Sequence, residues 1–385
     1  MTTYHFETIG SADALAITAA DTLIFATGPA SAVGVRYSPL DLPLPPRIDV
    51  TVGGRTVAFG SELSTLTQNG GAILPDGSRL FIGGSQNDQV TGTDASDGLY
   101  GGAGADSLDG ERGADFLQGN SGNDSLTGGF GANTVYGGQG DDLIIAGNGA
   151  ETAGSFAHGN LGHDEVIGGG GNDTLLGGQG DDFIAGRNGD DYLSGDLGED
   201  ELHGGEGADT LLGGAGKDVI QTGGGADRVL GGDGDDLIVI ELCGGAIVDG
   251  QAGNDTIVAA GLGKDILSGG EGSDRFEFVT KTGPTEGQDD VILDWEAGDQ
   301  FNFPQVSIYS ILPMSYSEFA ADSYAQALAI ANQHISGPGA AYVAAQVGAD
   351  VIVFADTNGD RSDGADIAVV LAGTSLNEIG LENFV

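Results

Sequence analysis

The chain has little cysteine and little positive charge. Cys243 is its single cysteine, which excludes an intramolecular disulfide, so an exported form would need another source of cross-linking. Only 12 lysines and arginines face 58 aspartates and glutamates, and the resulting formal net charge of −46 makes nucleic acid and anionic membranes poor partners. No apolar run approaches the roughly 20 residues of a membrane-spanning helix. Residues 1–7 lack the basic and apolar segments of a secretory signal peptide.

The sequence also lacks the short motifs of common hydrolases. It contains no His-Glu-x-x-His zinc-protease motif and no Gly-x-Ser-x-Gly nucleophile elbow. Carboxylates are so frequent that counting them does not single out a glycosidase pair. We therefore predict that the protein is not an enzyme, and we rank a secreted enzyme with an unrecognised site third among the functions below.

The chain is rich in glycine and aspartate, and these residues recur every nine positions. The unit is Gly-Gly-x-Gly-x-Asp-x-U-x, in which U is a large aliphatic residue, and residues 101–109 and 168–176 are clean copies. About twenty copies fill residues 83–277, in blocks 83–154, 159–239 and 250–277. Position six is aspartate in 18 of them. These are Asp88, Asp97, Asp106, Asp115, Asp124, Asp142, Asp164, Asp173, Asp182, Asp191, Asp200, Asp209, Asp218, Asp227, Asp236, Asp255, Asp265 and Asp274.

Each position of the unit suits a calcium-binding turn followed by a short strand. Calcium takes about six to eight oxygen ligands from carboxylates and backbone carbonyls. Glycine allows the positive φ angles that aim carbonyls at an ion. The aliphatic residue at position eight points inward, as in Leu108, Leu117 and Leu126, so stacked units form one narrow core. The region contains 36 acidic and 6 basic residues, which account for −30 of the net charge, so we expect it to fold only with calcium.

These motifs resemble the calcium-binding repeats of the RTX proteins. The resemblance implies an all-β fold, a right-handed parallel β-roll or β-solenoid, in which two units form one coil. It also implies that calcium lies between units n and n+2, on the same edge of adjacent coils. The phase breaks at residues 155–158, where four residues are inserted, and again at residues 240–249. Asn133 and Glu151 replace aspartate just before the first break, and we expect them to stack on each other and to form a weak or missing calcium site.

The flanking regions have their own patterns. Residues 1–82 predict a small β-domain for capping, assembly or binding, with a hairpin formed by residues 47–52 and 55–59 around Gly53 and Gly54. Residues 278–385 predict a β-rich capping and secretion-signal domain with one helix. That helix is predicted at residues 315–335, because Ser315 and Glu318 have capping-box spacing.

Two acidic segments of the C-terminal region are further metal candidates. Residues 287–303 look like the segment that closes many RTX rolls, and they place Asp289, Asp290, Asp294 and Asp299 at a last calcium site or on a solvated strand pair. The loop 356–366 opens like an EF-hand, with Asp356, Asn358 and Asp360. Arg361 and Ile367 occupy the loop's glycine and glutamate positions and exclude a full EF-hand, which leaves a simpler calcium turn or an acidic turn.

The leading functional prediction is a secreted, calcium-binding structural protein. Its terminal residues Glu382, Asn383, Phe384 and Val385 resemble the uncleaved signal of type I secretion substrates, so an exporter would pass the chain unfolded and calcium would fold it outside the cell. We predict self-association into a surface layer, filament or biofilm matrix. The alternative is an adhesin in which residues 1–82 bind a glycan or a surface.

Overall fold

The structure is a computed structural model. It describes residues 3–9, 14, 22–24, 29–38, 47–53, 55–60, 72–150, 152–241, 245–261, 263–279, 285, 287–303, 316–335, 342–356 and 364–384. The chain divides into two compact units, Met1–Tyr192 and Leu193–Val385. Each unit contains a parallel β-solenoid and a smaller flanking region.

The first unit begins with short strands and a 3-10 helix. Its flanking elements are the parallel strands Thr3–His5 and Thr22–Ile24, the helix Ala30–Ala32, the antiparallel strands Gly34–Ser38, Arg47–Val52 and Arg55–Gly60, and the antiparallel pair Ala72–Ile73 and Arg79–Ile82. The hairpin predicted around Gly53 is confirmed, because Val52 pairs with Arg55. Tyr100 belongs to the first coil, and its hydroxyl donates to the Val33 carbonyl. The flanking sheet therefore packs against the start of the solenoid.

The solenoid of the first unit alternates between two parallel sheets. One sheet contains Arg79–Ile82, Gly98–Ala103, Phe116–Ser121, Thr134–Gln139, Phe156–Leu161 and Thr174–Gln179. The other contains Gln89–Thr93, Ser107–Glu111, Ser125–Thr127, Leu143–Ile145, Glu165–Ile167 and Phe183–Asn188. Leu108 pairs with Leu126, so one coil takes two nine-residue units as predicted. The predicted all-β parallel solenoid is thus confirmed.

The second unit has the same two-sheet construction. The strand Tyr192–Leu197 begins at the last residue of the first unit and otherwise belongs to the second. One sheet contains Thr210–Ala215, Arg228–Asp233, Ile247–Ala252, Ile266–Ser268 and Asp290–Ile292. The other contains Glu201–Glu206, Val219–Gly224, Leu237–Ile240, Thr256–Ala259, Arg275–Phe278 and Gln300–Asn302.

The core of each solenoid is the column of position-eight side chains. Leu117, Leu126, Leu175 and Ile184 are completely buried, and so are Leu211 and Ile220 in the second unit. Neighbouring strand residues alternate between this core and the outer face. Burying one such aliphatic side chain contributes about 1.5–3 kcal/mol before the entropy of ordering is subtracted, so the column stabilises the coils only collectively.

The C-terminal region closes the second unit with a mixed sheet and one α-helix. Its strands are Tyr316–Ala321, Tyr342–Val347, Asp350–Ala355 and Ile367–Leu371, and 3-10 helices follow at Leu376–Glu378 and Leu381–Asn383. The strand Ile367–Leu371 pairs with Asp290–Ile292, so this sheet continues a sheet of the solenoid. Phe384 packs on Phe301, with ring centroids 5.6 Å apart.

The α-helix is shorter than predicted. It spans Tyr324–Ile335 and buries Tyr324, Ala327, Ala331 and Ile335 against the sheet. Glu318 lies in the strand Tyr316–Ala321 and Ser315 lies outside the described residues, so the predicted capping box is wrong. Instead, the hydroxyl of Ser323 accepts a hydrogen bond from the Gln326 N–H at 3.3 Å and caps the helix. The helix therefore begins after the strand Tyr316–Ala321.

Candidate metal centres

The position-six side chains form four columns, two in each unit, which we call ladders. Ladder A1 contains Asp88, Asp106, Asp124, Asp142, Asp164 and Asp182, and ladder B1 contains Asp97, Asp115, Asn133, Ser155, Asp173 and Asp191. Ladder A2 contains Asp200, Asp218, Asp236, Asp255, Asp274 and Asp299, and ladder B2 contains Asp209, Asp227, Ala246, Asp265 and Asp290.

Along each ladder, the Oδ1 atom of an aspartate accepts a hydrogen bond from the backbone N–H of the ladder residue in the preceding coil. The N–H of Asp106 donates to Asp124 Oδ1 at 2.7 Å, and the N–H of Asp218 donates to Asp236 Oδ1 at 2.8 Å. The same bond recurs along all four ladders except at Asn133, Ser155 and Ala246, which bring no carboxylate. A charged acceptor strengthens each bond, so Oδ1 fixes the rotamer of the aspartate and the spacing of the coils.

The second carboxylate oxygen is buried without a hydrogen-bond donor in many copies. This holds for the Oδ2 atoms of Asp106, Asp115, Asp124, Asp142, Asp164, Asp218, Asp236 and Asp255. Their side chains are at most 3% exposed. A buried charge with no compensating partner is costly, so each of these oxygens is suited to a bound cation.

A backbone carbonyl of the next coil converges on the same place. A Cβ atom built on Gly119, at position one, would lie 2.1 Å from Asp124 Oδ2 and 2.8 Å from the Gly137 carbonyl oxygen. The same construction on Gly213 puts both corresponding oxygens at 2.4 Å. A Cβ atom at either glycine would therefore collide with both oxygens. We call this point beside position one the oxygen cradle, and its proximity explains why position one is glycine.

The backbone at position two also favours glycine. Gly102 has φ +101° and Gly138 has φ +131°, a region that side chains rarely adopt. Of the six other residues with positive φ, three are asparagine or aspartate, such as Asn120 at +79°, which tolerate this region better than most side chains. The glycine pattern in the sequence therefore follows from two separate causes, the cradle at position one and the backbone angle at position two.

Burial gives the ladder carboxylates raised pKa values. Desolvation raises the pKa of Asp106 and Asp115 to about 7, against an opposing backbone hydrogen bond and reinforced by neighbouring aspartates. Asp142 and Asp236 also reach about 7, for the same reasons. Near neutral pH some of these carboxyl groups would therefore be protonated in the metal-free chain, and a divalent cation would displace those protons.

The donor set fits calcium better than zinc or copper. Among the described residues, no group of three or more histidine, cysteine, aspartate or glutamate side chains converges as a metal site. The cradles instead combine single carboxylates with carbonyl oxygens, and hard oxygen ligands select calcium or magnesium. Magnesium prefers a rigid octahedron that keeps several waters, whereas each cradle offers a buried carboxylate oxygen beside a backbone carbonyl oxygen.

Of the predicted C-terminal ligands, two join the ladders. Asp290 Oδ1 accepts the Asp265 N–H at 2.9 Å, and Asp299 Oδ1 accepts the Asp274 N–H at 3.0 Å. Asp289 instead accepts the hydroxyl of Tyr324. Asp294 accepts hydrogen bonds from the Ser268 hydroxyl and from the backbone N–H groups of Gly269 and Gly270. Asp356 is buried, while Asn358 and Asp360 lie outside the described residues, so metal binding by that loop stays a prediction.

The predicted stacking of Asn133 on Glu151 is wrong. The N–H of Asn133 donates to Ser155 Oγ at 3.2 Å, and Phe156 N–H donates to the Asn133 carbonyl. Glu151 lies outside the described residues. The four inserted residues therefore precede Ser155, which occupies the position-six register 22 residues after Asn133.

A second ladder residue was also missed, because Ala246 lies inside the segment interpreted as a break. Its register is set by Ile247 N–H, which donates to the Asp227 carbonyl. The residues two positions later, Ala157 and Val248, are buried in the core column, so the places of Ser155 and Ala246 are recognisable once the coils are formed.

Among known proteins, the chain matches one family model. A family model of the RTX calcium-binding nonapeptide repeat (4 copies) matches residues 82–117, 118–150, 158–193, 167–202, 203–238 and 244–276. The extracellular lipase LipA from Serratia marcescens, a solved structure, matches with 18% identity and a TM-score of 0.19, over 61% of this chain and 40% of the lipase. No curated protein is significantly similar to the chain. Within the described part of the chain, no helix has the length and apolarity needed to cross a bilayer. From residue 82 to residue 276, the chain belongs to the family of RTX calcium-binding nonapeptide repeats.

Proposed function

We propose that the protein is secreted and that its solenoids fold on extracellular calcium held by the position-six aspartates. The observation that carries this proposal is the convergence of a donor-free Oδ2 and a carbonyl oxygen in successive cradles. Bound calcium would supply the positive charge that lets these carboxylates be buried in their ionised form. The residues proposed to hold it are the ladder aspartates named above.

Folding on calcium also suits export as an unfolded chain. Extracellular modules bind calcium with dissociation constants of roughly 10⁻⁴–10⁻³ M, far above cytosolic calcium. Before calcium binds, the net charge of −46 and 73 glycines oppose compaction. We therefore retain a type I exporter as the proposed partner during secretion.

We further propose that the folded protein is a structural, self-assembling component of a surface layer, filament or biofilm matrix. The repeat aspartates are accounted for by the ladders, which leaves the flanking regions as the parts that distinguish this chain. Among the described residues, the sheet Gly34–Ser38, Arg47–Val52 and Arg55–Gly60 has two outer strands that pair with no further strand. Such edges accept a strand from a second molecule, which supports self-association through the N-terminal region. We also propose three domains: an N-terminal β-domain at residues 1–82, the calcium-binding roll at residues 83–277 and a C-terminal capping domain at residues 278–385.

Light scattering and electron microscopy during a calcium titration of the purified full chain would test the assembly. Ordered sheets or fibres should form with calcium and dissolve with chelator. A chain that folds with calcium and stays monomeric would contradict the assembly. A glycan bound by that monomer would then favour the adhesin, and turnover of a substrate would favour an enzyme.

A further inference from the structure

The two phase breaks change the chemistry of the cradle. We propose that the roll binds no calcium at two places, which we call joints, and that protein hydrogen bonds replace the ion there. Joint 1 lies in ladder B1 at Asn133 and Ser155. Joint 2 lies in ladder B2 at Thr222, Asp227 and Ala246. The proposal rests on the calcium-folded roll proposed above and specifies where its calcium ladders are interrupted.

At joint 1 an amide nitrogen takes the place of the carboxylate oxygen. A Cβ atom built on Gly128 would lie 2.6 Å from Asn133 Nδ2 and 2.1 Å from the Ala146 carbonyl oxygen, so the cradle has its usual shape. Asn133 Nδ2 donates to that same carbonyl at 3.0 Å. An amide nitrogen offers a cation no charge and no free lone pair. The carbonyl that an ion would use is therefore already bonded to the side chain that replaces the ligand.

The next coil completes joint 1 without a carboxylate. Ser155 Oγ accepts the Asn133 N–H at 3.2 Å, which is the bond that Oδ1 makes elsewhere in the ladder. The Ser155 N–H then donates to Asp173 Oδ1 at 2.6 Å, and the regular ladder resumes. Both side chains keep the coils in register, and neither brings a negative charge that would need a cation.

At joint 2 a side chain fills the cradle itself. Thr222 stands at position one, where most copies have glycine, and it is fully buried. Its Cβ therefore occupies the point that oxygens surround in a regular copy. Its side chain hydrogen-bonds the Asp227 carboxylate, and its Oγ1 accepts the Glu241 N–H at 3.3 Å. Ala246, the next residue of the ladder, offers no oxygen ligand from its side chain.

The opposite edge of each unit stays regular beside the joint. In ladder A1 the Asp142 N–H donates to Asp164 Oδ1 at 2.8 Å, and in ladder A2 the Asp236 N–H donates to Asp255 Oδ1 at 2.9 Å. The Oδ2 atoms of all four are buried without a donor. The replacement is thus confined to the ladder in which the extra residues fall. An ion needs oxygens from two coils in fixed register, whereas hydrogen bonds from an asparagine or threonine adapt to an irregular backbone.

Restoring the missing aspartates should restore calcium sites. The variants N133D/S155D and T222G/A246D re-create the regular residues at joints 1 and 2. Native mass spectrometry of the full chain, in saturating calcium, should count one more ion in each variant than in the wild type. N123D adds one negative charge, as T222G/A246D does, at an exposed asparagine of the first unit and should add no ion. T222S keeps the buried hydroxyl and should also match the wild type. Folded double variants with the wild-type ion count would overturn the proposal.

A crystal structure of the wild type grown with calcium decides the question if the variants do not fold. Long-wavelength anomalous scattering should place ions at the cradles of Asp106, Asp124 and Asp218 and none at either joint. An ion at a joint with the same occupancy as its neighbours would overturn this inference alone. A folded chain with no ion at any cradle would overturn the proposed function instead.

Discussion

Replacing Asp124 by asparagine should make the roll less dependent on calcium and more stable without it. Asp124 is 3% exposed, its Oδ1 holds the Asp106 N–H and its Oδ2 has no donor. Asn133 shows what an asparagine does in this environment, because its Nδ2 donates to the cradle carbonyl. D124N should therefore keep the ladder bond and satisfy the cradle without a charge.

The magnitude follows from the pKa of this carboxyl. Desolvation raises the pKa of Asp124 from 3.8 to about 6, a difference of about two units, or at most about 3 kcal/mol at about 1.4 kcal/mol per unit. At about pH 7.5 the group is ionised in both the folded and the unfolded chain. D124N should thus stabilise the metal-free fold by up to about 3 kcal/mol. It should also forfeit the stabilisation of one bound ion, about 2.7 kcal/mol at 100 times its dissociation constant.

Circular dichroism during calcium titration measures both effects, since the slope of the folding equilibrium against calcium gives the number of ions linked to folding. That number should fall by one in D124N, and the free energy of unfolding extrapolated to zero calcium should rise. D94N is the matched control, because the Asp94 side chain is 89% exposed and its ion pair with Arg112 is long, at 3.8 Å. An unchanged number of linked ions in folded D124N would refute the assignment of Asp124 as a ligand.

Three further predictions test other parts of the structure. G119A would place a Cβ 2.1 Å from the carboxylate of its cradle. Calorimetry should therefore show one bound ion fewer and a loss of stability of roughly 1–3 kcal/mol. The control G149A, whose added Cβ would have no heavy atom within 4 Å, should change neither quantity. Burial raises the pKa of Asp106 to about 7, so the metal-free fold binds more protons than the unfolded chain between about pH 4 and 7. Its stability in chelator should therefore rise as the pH falls through that window, and a fall measured by circular dichroism would contradict the burial of the ladders. L175A removes a fully buried core side chain and should cost about 2–5 kcal/mol in calcium-saturated melts, while an unchanged melt would mean that the column is not the core.

Much of the fold could be predicted from the sequence because one short unit repeats. The period of nine sets the coil, the aliphatic at position eight sets the core, and the aspartate at position six sets the ladders. Leu117 and Asp124 lie where this pattern predicts, one completely buried and one with its carboxylate turned toward a cradle. Repetition makes each local inference testable against many copies.

The sequence pattern failed where a residue does not belong to the repeat. Ser155 and Ala246 stand where the pattern expects aspartate, so only strand pairing between coils reveals their places in the ladders. The helix start also escaped prediction, because residues 316–321 pair with Tyr342–Val347 as a strand and long-range pairing overrides a local capping signal. The carbonyl side of each cradle is likewise invisible in the sequence, since every residue has a carbonyl.

The replacement of calcium by side chains also has no motif of its own. Asparagine and threonine are ordinary substitutions for aspartate and glycine in a sequence. Their effect depends on the bond from Asn133 Nδ2 to Ala146 and on the burial of Thr222. Both become apparent only when the neighbouring coil is in place.

Far-ultraviolet circular dichroism of the wild-type chain, first in chelator and then with calcium, combined with a count of bound ions, tests the central claim most directly. We predict a largely unfolded chain in chelator at about pH 7.5 and a cooperative gain of β-structure as several calcium ions bind at roughly 10⁻⁴–10⁻³ M. The same β-sheet spectrum in chelator, with no metal bound, would contradict the account.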